Sequence, residues 1–215
     1  MTAEEDVIDD YLVWEICKQR GVKKEIIEGS MNEEELKEEV VEVRKEYQER
    51  HYDLEGKIDQ VRRLSSNPDH KVKVFEYCSW DTETVKVEDL GTTLPHAMGL
   101  PPEVISGSLS EVMQFVREAD PEKYRSVSYI NSLKEVPEVL NQFSTTVVSP
   151  GSILRRQERM KKAYGVKNWN IQEVWGAVHD ANHRTVAKII ANDLEEIECF
   201  VGRPSNDKIY DHVEP

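Results

Sequence analysis

The sequence predicts a mainly α-helical protein with one small β-hairpin, and three observations lead to that prediction. Apolar residues recur at three- and four-residue steps over much of the chain, which is the spacing of an amphipathic helix. The run 33–64 contains no proline and a single glycine. Apolar and polar residues alternate near residues 72–77 and 84–87, as a hairpin requires. We expect three regions: an acidic helical arm over 1–65, a mixed α/β region over 66–149 and a C-terminal module over 150–215.

The N-terminal arm is predicted to contain a short helix and one long helix. Residues 6–18 place apolar side chains on one stripe, and Gly21 can end that helix. Ser30 or Asn32 can cap the long helix over residues 33–64, because each is followed three residues later by a glutamate. A single helix of this length must lie along its own domain or pair with another chain.

The long helix carries an apolar seam that resembles a coiled-coil repeat, and two cations interrupt it. The interruptions are Arg50 and Lys57. The seam predicts either packing within the chain or self-association, or binding of a protein partner, through this helix. The candidate oligomerisation residues are Leu36, Val40, Val43, Tyr47, Leu54, Ile58 and Val61.

The middle region is predicted to be a linker, a hairpin and short helices. Residues 65–70 have linker composition, and strands over 72–77 and 84–87 would flank a turn at 79–82. Ser108 or Ser110 can cap a helix that turns Val112, Met113, Phe115 and Val116 inward. The run 145–148 is predicted to be a short strand or an extended link.

The C-terminal module is predicted to contain three helices and a short tail. The helices would span residues 152–164, 171–179 and 183–198, with a polar turn at 180–182 and a tail over 200–213. The third helix would bury its valine and isoleucine stripe and leave three polar residues on the opposite side. Those residues are Arg184, Thr185 and Lys188.

The charge distribution is compatible with a nucleic-acid partner at the C-terminal end of the chain. The formal net charge is −14, and residues 1–65 carry 19 acidic against 11 basic side chains. Residues 150–188 carry 8 basic against 3 acidic side chains, and local charge sets the field that a phosphate backbone meets. The same pattern is equally typical of a solvated helix face.

The polar turn before Arg184-Thr185-Val186, with the run ending Leu194-Glu-Glu-Ile197, resembles winged helix-turn-helix DNA-binding domains over residues 150–204. The resemblance implies a helix-turn-helix-like unit whose last helix enters the DNA major groove, with part of the tail as the wing. It therefore predicts a non-enzymatic DNA-binding protein, a regulator or DNA-organising factor. The predicted DNA-binding residues are Arg155, Arg156, Asn182, His183, Arg184, Thr185, Lys188 and Arg203.

Two other functions stay open. One is a structural, scaffold or assembly protein, for example a viral or plasmid-encoded component, whose basic segment docks on an acidic surface of another subunit or of the N-terminal arm. The other is a degenerate exonuclease, because Asp81-Thr-Glu83 resembles the D-x-E metal motif of DEDD exonucleases. In that comparison Arg184 stands where the last metal ligand would be, which predicts no metal site and no catalysis.

Cysteine usage and the N-terminal sequence indicate a reducing compartment. Cys17, Cys78 and Cys199 lie far apart and form no C-x-x-C pair, which argues against a disulfide framework or structural zinc. The acidic N-terminus does not look like a signal peptide, and no apolar run is long enough to cross a bilayer. We expect a cytoplasmic protein, nuclear in a eukaryote, with no cofactor and no membrane partner.

Overall fold

A computed structural model of the protein describes residues 2–92, 108–149 and 174–205. The described helices are α1 (Ala3–Gln19), α2 (Val22–Glu28), α3 (Glu33–Gln48), α4 (Leu54–Leu64), α5 (Pro68–Tyr77), α6 (Leu109–Glu118), α7 (Arg125–Lys134), α8 (Pro137–Leu140) and α9 (Asn182–Asn192). The described strands are β1 (Cys78–Lys86), β2 (Leu90–Thr92), β3 (Thr145–Val148), β4 (Gly176–Asp180) and β5 (Glu196–Pro204). No helix within these three ranges is long and apolar enough to cross a membrane.

The strands form one five-stranded mixed sheet in the order β1-β5-β3-β4-β2. Strands β2 and β4 are parallel, as are β3 and β5, whereas β1 pairs with β5 and β3 with β4 in antiparallel fashion. The fold is therefore α/β, and the predicted mainly α-helical protein with a small hairpin is wrong. The sheet draws strands from the predicted middle and C-terminal regions alike.

The predicted hairpin is a helix followed by a single strand. Pro68 begins α5, where its missing N–H costs nothing, and α5 buries Val72, Val74 and Phe75. Residues 78–86 then continue as one strand along β5. The prediction failed because a short apolar run fits the helical and the strand periods equally well.

The predicted long helix is two helices. Asn32 caps α3 with Glu35 in a reciprocal capping box, as the sequence predicted. The helix then ends near residue 49, His51 adopts a left-handed conformation with φ of 49°, and Asp53 accepts a hydrogen bond from the Gly56 N–H (2.9 Å) to start α4. The chain can therefore fold back, and both helices pack against α1.

The predicted coiled-coil seam lies in the protein's own core. Leu54 is 41% exposed, whereas the other seam residues are buried: Leu36, Val40, Val43, Tyr47, Ile58 and Val61. Lys57, which interrupts the seam, is buried too and forms an ion pair with Asp9 of α1 (2.9 Å). These six apolar side chains already have partners within the chain, so they are not accessible to a second chain in this structure, whereas Leu54 is accessible.

The predicted helix-turn-helix-like unit is also wrong in the described residues. Residues 176–180 form strand β4 inside the sheet, and a Cβ on Gly176 would lie 2.7 Å from Val147 Cγ1 of β3. Helix α9 ends at Asn192, after which β5 replaces both the end of the predicted helix and the start of the wing. The predicted helix over 152–164, with Arg155 and Arg156, and residues 206–213 of the tail lie outside the described residues.

Other predictions are confirmed. Helix α1 buries the stripe expected of residues 6–18, and α6 begins after Ser108 and buries Val112, Met113 and Val116. The Ser108 side chain makes no capping hydrogen bond to α6, so the position of the helix start is confirmed and the predicted side-chain cap is not. Residues 145–148 form strand β3, the middle strand of the sheet. All four of its residues are buried, which explains why β3 shows little alternation of apolar and polar side chains.

Candidate functional site

The junction between β4 and α9 is a strand-to-helix turn of one residue. That residue, Ala181, has φ of 61°, a left-handed conformation that is uncommon for a residue other than glycine. Its methyl group cannot accept a hydrogen bond, so α9 begins without a side-chain cap. The Asn182 side-chain oxygen accepts a hydrogen bond from the Thr92 hydroxyl, which ties the start of α9 to the parallel strand β2.

Arg184, the residue at the centre of the DNA-binding prediction, faces the protein interior. Its side chain is 7% exposed, and its guanidinium lies 4.2 Å from the ring centroid of Trp14 and 4.8 Å from that of Phe143. The Asp180 carboxylate lies 3.7 Å from this guanidinium, four residues earlier in the chain at the end of β4. The prediction that Arg184 contacts a DNA groove is therefore wrong, because α9 turns this side chain toward α1.

Asp180 links this arginine to α5. Its carboxylate pairs with Lys71 at 2.6 Å as well as with Arg184. Burial alone would raise the pKa of the Asp180 carboxyl, but the two adjacent cations hold it below its ordinary value. The three charges form a network that joins α5, β4 and α9, in which Arg184 is buried and Lys71 and Asp180 are partly exposed.

Two further predicted DNA contacts point inward. Thr185 is 1% exposed, and its hydroxyl lies 3.1 Å from that of Thr145 on β3. The Lys188 amine donates a hydrogen bond to the Phe143 carbonyl (3.2 Å). Neither residue can contact DNA in this arrangement, because α9 is packed on the sheet at one side and on α7 at the other.

Arg203 lies on β5 rather than on a wing. Its guanidinium pairs across the sheet with Asp81 (3.2 Å) and Glu83 (2.5 Å) of β1. The two carboxylates of the D-x-E motif thus face a cation instead of an open metal position. In the three described ranges no group of three His, Cys, Asp or Glu side chains could hold a metal ion.

A groove of about 490 Å³ lies between α2, α7 and the first turn of α9. His183, one of the residues predicted from the sequence to bind DNA, lines this groove. The side chains that line it are Lys23 and Ile27 of α2, Arg125, Ser126, Ser128 and Tyr129 of α7, and His183 of α9. The groove residues of α2 and α7 were not predicted, because they come from regions far apart in the chain and belong to no sequence motif.

Positive charge is concentrated in this groove. The Lys23 amine lies 4.8 Å above the Tyr129 ring centroid, and the His183 ring lies 5.0 Å from the same ring. Burial, together with repulsion from Lys18 and Arg125, lowers the pKa of Lys23. Among the described residues, neither Lys23 nor Arg125 forms an ion pair with a carboxylate.

His183 contributes a neutral imidazole. Burial, with the nearby Lys23 as a second cause, lowers the pKa of His183 to about 3. The ring is therefore uncharged at neutral pH, and one of its nitrogens carries a proton that it can donate. Its Nε2 atom is buried and makes no hydrogen bond within the described part of the chain.

Two helix N-termini meet at the groove. Arg125 and Ser126 are in the first turn of α7, and His183 is in the first turn of α9. Neither Tyr124 nor Ala181, the residues before these helices, provides a side-chain cap. Uncapped first turns present free N–H groups and the positive end of a helix dipole, so the groove can attract and hydrogen-bond an anion.

Comparison of the chain with family models, with curated proteins and with solved structures finds no match. We therefore infer function from the groove and from the charges around it. The winged helix-turn-helix resemblance finds no support in these comparisons.

Proposed function

We propose that this protein binds, without catalysis, a ligand that carries a phosphate group, and that the phosphate lies in the groove between α2, α7 and α9. One observation carries the proposal. Lys23 and Arg125 face the groove without a carboxylate partner in the described residues, although the chain has a net charge of −14. Where acidic side chains are this abundant, two unpaired cations that repel each other favour an external anion.

The donors around the groove suit phosphate better than a carboxylate. An ammonium group, a guanidinium, two serine hydroxyls and the first-turn N–H groups surround the space from α2, α7 and α9. A phosphate group has tetrahedrally arranged acceptor oxygens and can accept from several directions at once, whereas a carboxylate offers two oxygens in one plane.

We propose binding rather than catalysis because of His183. A general acid or base works best with a pKa near the working pH, whereas the pKa of this imidazole is about 3. At neutral pH it is thus a fixed hydrogen-bonding group. The three free, buried cysteines fit a reducing compartment, so we place this binding in the cytoplasm, or in the nucleus of a eukaryote.

Calorimetric titration with inorganic phosphate at pH 7.5 and low salt tests the proposal. Wild-type protein should bind phosphate, and the double variant Lys23→Gln/Arg125→Gln should lose that binding. Lys24→Gln is the matched control, because Lys24 is the next residue of α2, pairs with Glu28 (3.7 Å) and does not line the groove. Binding that is absent in wild type, or unchanged in the double variant, would exclude this function.

DNA binding remains a second candidate for one specific reason. Residues 155–167 carry 6 basic side chains against 1 acidic, and Arg155 and Arg156 are among them. The cations of this segment are the candidate DNA contacts, since Arg184 and Lys188 of α9 are held against other parts of the chain. A mobility-shift assay with duplex DNA should show binding that weakens steeply between low and physiological salt and is lost in Arg155→Glu/Arg156→Glu. No shift at low salt would leave the assembly role, in which the basic segment docks on an acidic protein surface.

A further inference from the structure

The cationic groove is small and has acidic neighbours. Helix α2, which provides Lys23, also carries Glu25 and Glu28, and α1 contributes Glu15 beside Lys18 (2.5 Å). Two further cations of these helices, Lys18 and Lys24, already pair with Glu15 and Glu28, so they are not free to neutralise the next phosphates of a polymer. Long nucleic acids bind tightly when an extended basic surface neutralises many of their phosphates, whereas the cations of this groove suffice for one phosphate.

The charge of the groove matches a dianion. Lys23 and Arg125 supply two positive charges, and the first turns of α7 and α9 each add about half a unit of positive dipole charge. A phosphomonoester carries a charge of about −1.5 to −2 at pH 7, whereas a phosphodiester carries about −1. A monoester also has three terminal oxygens for the donors on the three helices.

The groove has room for more than the phosphate itself. Its volume of about 490 Å³ is within the range of pockets that hold small organic ligands, roughly 300–1,000 Å³. Ile27 lines it with 45% of its surface exposed, one of the large apolar side chains that the described fold leaves uncovered. A ligand whose phosphate lies at Lys23 and Arg125 can place an apolar or aromatic part on Ile27.

From these features, and on the basis of the proposed phosphate-binding function, we infer that the groove binds the phosphomonoester dianion of a small molecule of about mononucleotide size, with its organic part against Ile27. The ligand is thus a free small molecule and not the internal phosphodiester of a polymer.

Two nucleotides of similar size test the charge requirement. Adenosine 5′-monophosphate is a phosphomonoester, and adenosine 3′,5′-cyclic monophosphate is a phosphodiester with the same base. In calorimetric titrations of the full chain at pH 7.5 we expect the monoester to bind about tenfold or more tightly than the cyclic diester. Ile27→Ser should weaken binding of the monoester and leave binding of inorganic phosphate unchanged, whereas Val41→Ser, at a site on α3 that is 51% exposed, should change neither.

A pH series separates the titration of the ligand from that of the protein. Between pH 7.5 and pH 5 the affinity for the monoester should fall about tenfold, because its second ionisation has a pKa near 6. The charged and titratable groups that line the groove are Lys23, Arg125, Tyr129 and His183, and Lys18 and Glu15 act on the charge of Lys23. Burial raises the pKa of Tyr129 to about 12, so its hydroxyl stays protonated over this range. Sulfate stays a dianion across this range, so its affinity should stay constant if these groups keep their charge.

The outcomes distinguish this inference from the function on which it rests. Equal affinities for the two nucleotides, or a monoester affinity that does not change with pH, would overturn the dianion inference and leave phosphate binding standing. Binding of inorganic phosphate without the monoester would overturn the size inference alone. Failure of inorganic phosphate, sulfate and both nucleotides to bind would refute the inference and the function together, as would monoester binding that survives Lys23→Gln/Arg125→Gln.

Discussion

Replacement of Arg184 by alanine removes the side chain that joins α9 to α1. The guanidinium lies between Trp14 and Phe143 and beside Asp180, and the side chain is 7% exposed. The variant loses three contributions at once: the two cation–π contacts, the packing of the aliphatic stem, and one of the two cations next to the Asp180 carboxylate. We therefore expect a loss of global stability rather than a local functional defect.

The magnitude follows from the separate contributions. Removal of one partner of a buried ion pair costs about 3–5 kcal/mol. Because the Asp180 side chain is 22% exposed and Lys71 stays 2.6 Å from it, we expect the loss of electrostatic stabilisation to be about 3 kcal/mol or less. The lost aromatic contacts and the cavity add roughly 1–2 kcal/mol. We expect the free energy of unfolding to fall by about 3–5 kcal/mol. For a chain of this size that corresponds to a Tm lower by roughly 6–20 °C.

Urea denaturation, followed by tryptophan fluorescence and by circular dichroism, measures this change. Arg203→Ala is the control, because Arg203 also pairs with two carboxylates but is 42% exposed. Its replacement should cost less than about 1 kcal/mol. If Arg184→Ala cost no more than the control, Arg184 would behave as a surface residue, and the network at the β4–α9 junction would be refuted.

Three further predictions concern other parts of the fold. The pKa of His183 is about 3 in the folded state and near 6.5 when unfolded, so acid favours the unfolded chain. Between pH 7 and 5.5 the free energy of unfolding, measured by urea denaturation, should fall by about 1 kcal/mol more in wild type than in His183→Gln. Equal losses in the two proteins would contradict the lowered pKa. Burial raises the pKa of each of the three cysteines to about 12. At pH 8 Ellman's reagent should therefore modify them on the order of a thousandfold more slowly in native than in denatured protein. A cysteine that reacts in the native protein as fast as in the denatured protein would disprove this. Gly202→Ala should lower the free energy of unfolding by about 1–3 kcal/mol, since its Cβ would lie 2.7 Å from Trp80 Cη2. In a chain that also carries Trp80→Leu, the Gly202→Ala replacement should be nearly neutral. A loss of stability that persisted in that background would indicate a cause other than the contact with Trp80.

Local signals in the sequence predicted local structure well. The Asn32 cap, the stripe of α1 and the start of α6 each depend on residues within one or two turns of a helix, and each is confirmed. Strand β4 is an element that local sequence signals did not predict. Gly176, Ala177 and Val178 have a weak local preference, and they form a strand because β2 and β3 provide partners on both sides.

Periodicity identified buried faces but not what covers them. The seam of α3 and α4 is apolar at the predicted positions, yet its partner is α1 of the same chain. The stripe of α9 likewise predicted one buried side and one exposed side, whereas the fold buries both, since a helix between two central strands contacts the sheet and a second helix layer. The groove could not be predicted at all, because Lys23, Arg125 and His183 are brought together only by the tertiary fold.

The most direct test of anion binding at the two helix N-termini is a two-dimensional ¹H–¹⁵N NMR titration of the full chain with inorganic phosphate. The account predicts the largest amide shifts at Ser126, Val127 and His183, in the first turns of α7 and α9, with saturation at one phosphate per chain. These shifts should vanish in Lys23→Gln/Arg125→Gln. Saturable shifts confined to other parts of the protein, or none at these amides at millimolar phosphate, would contradict the assignment of this groove.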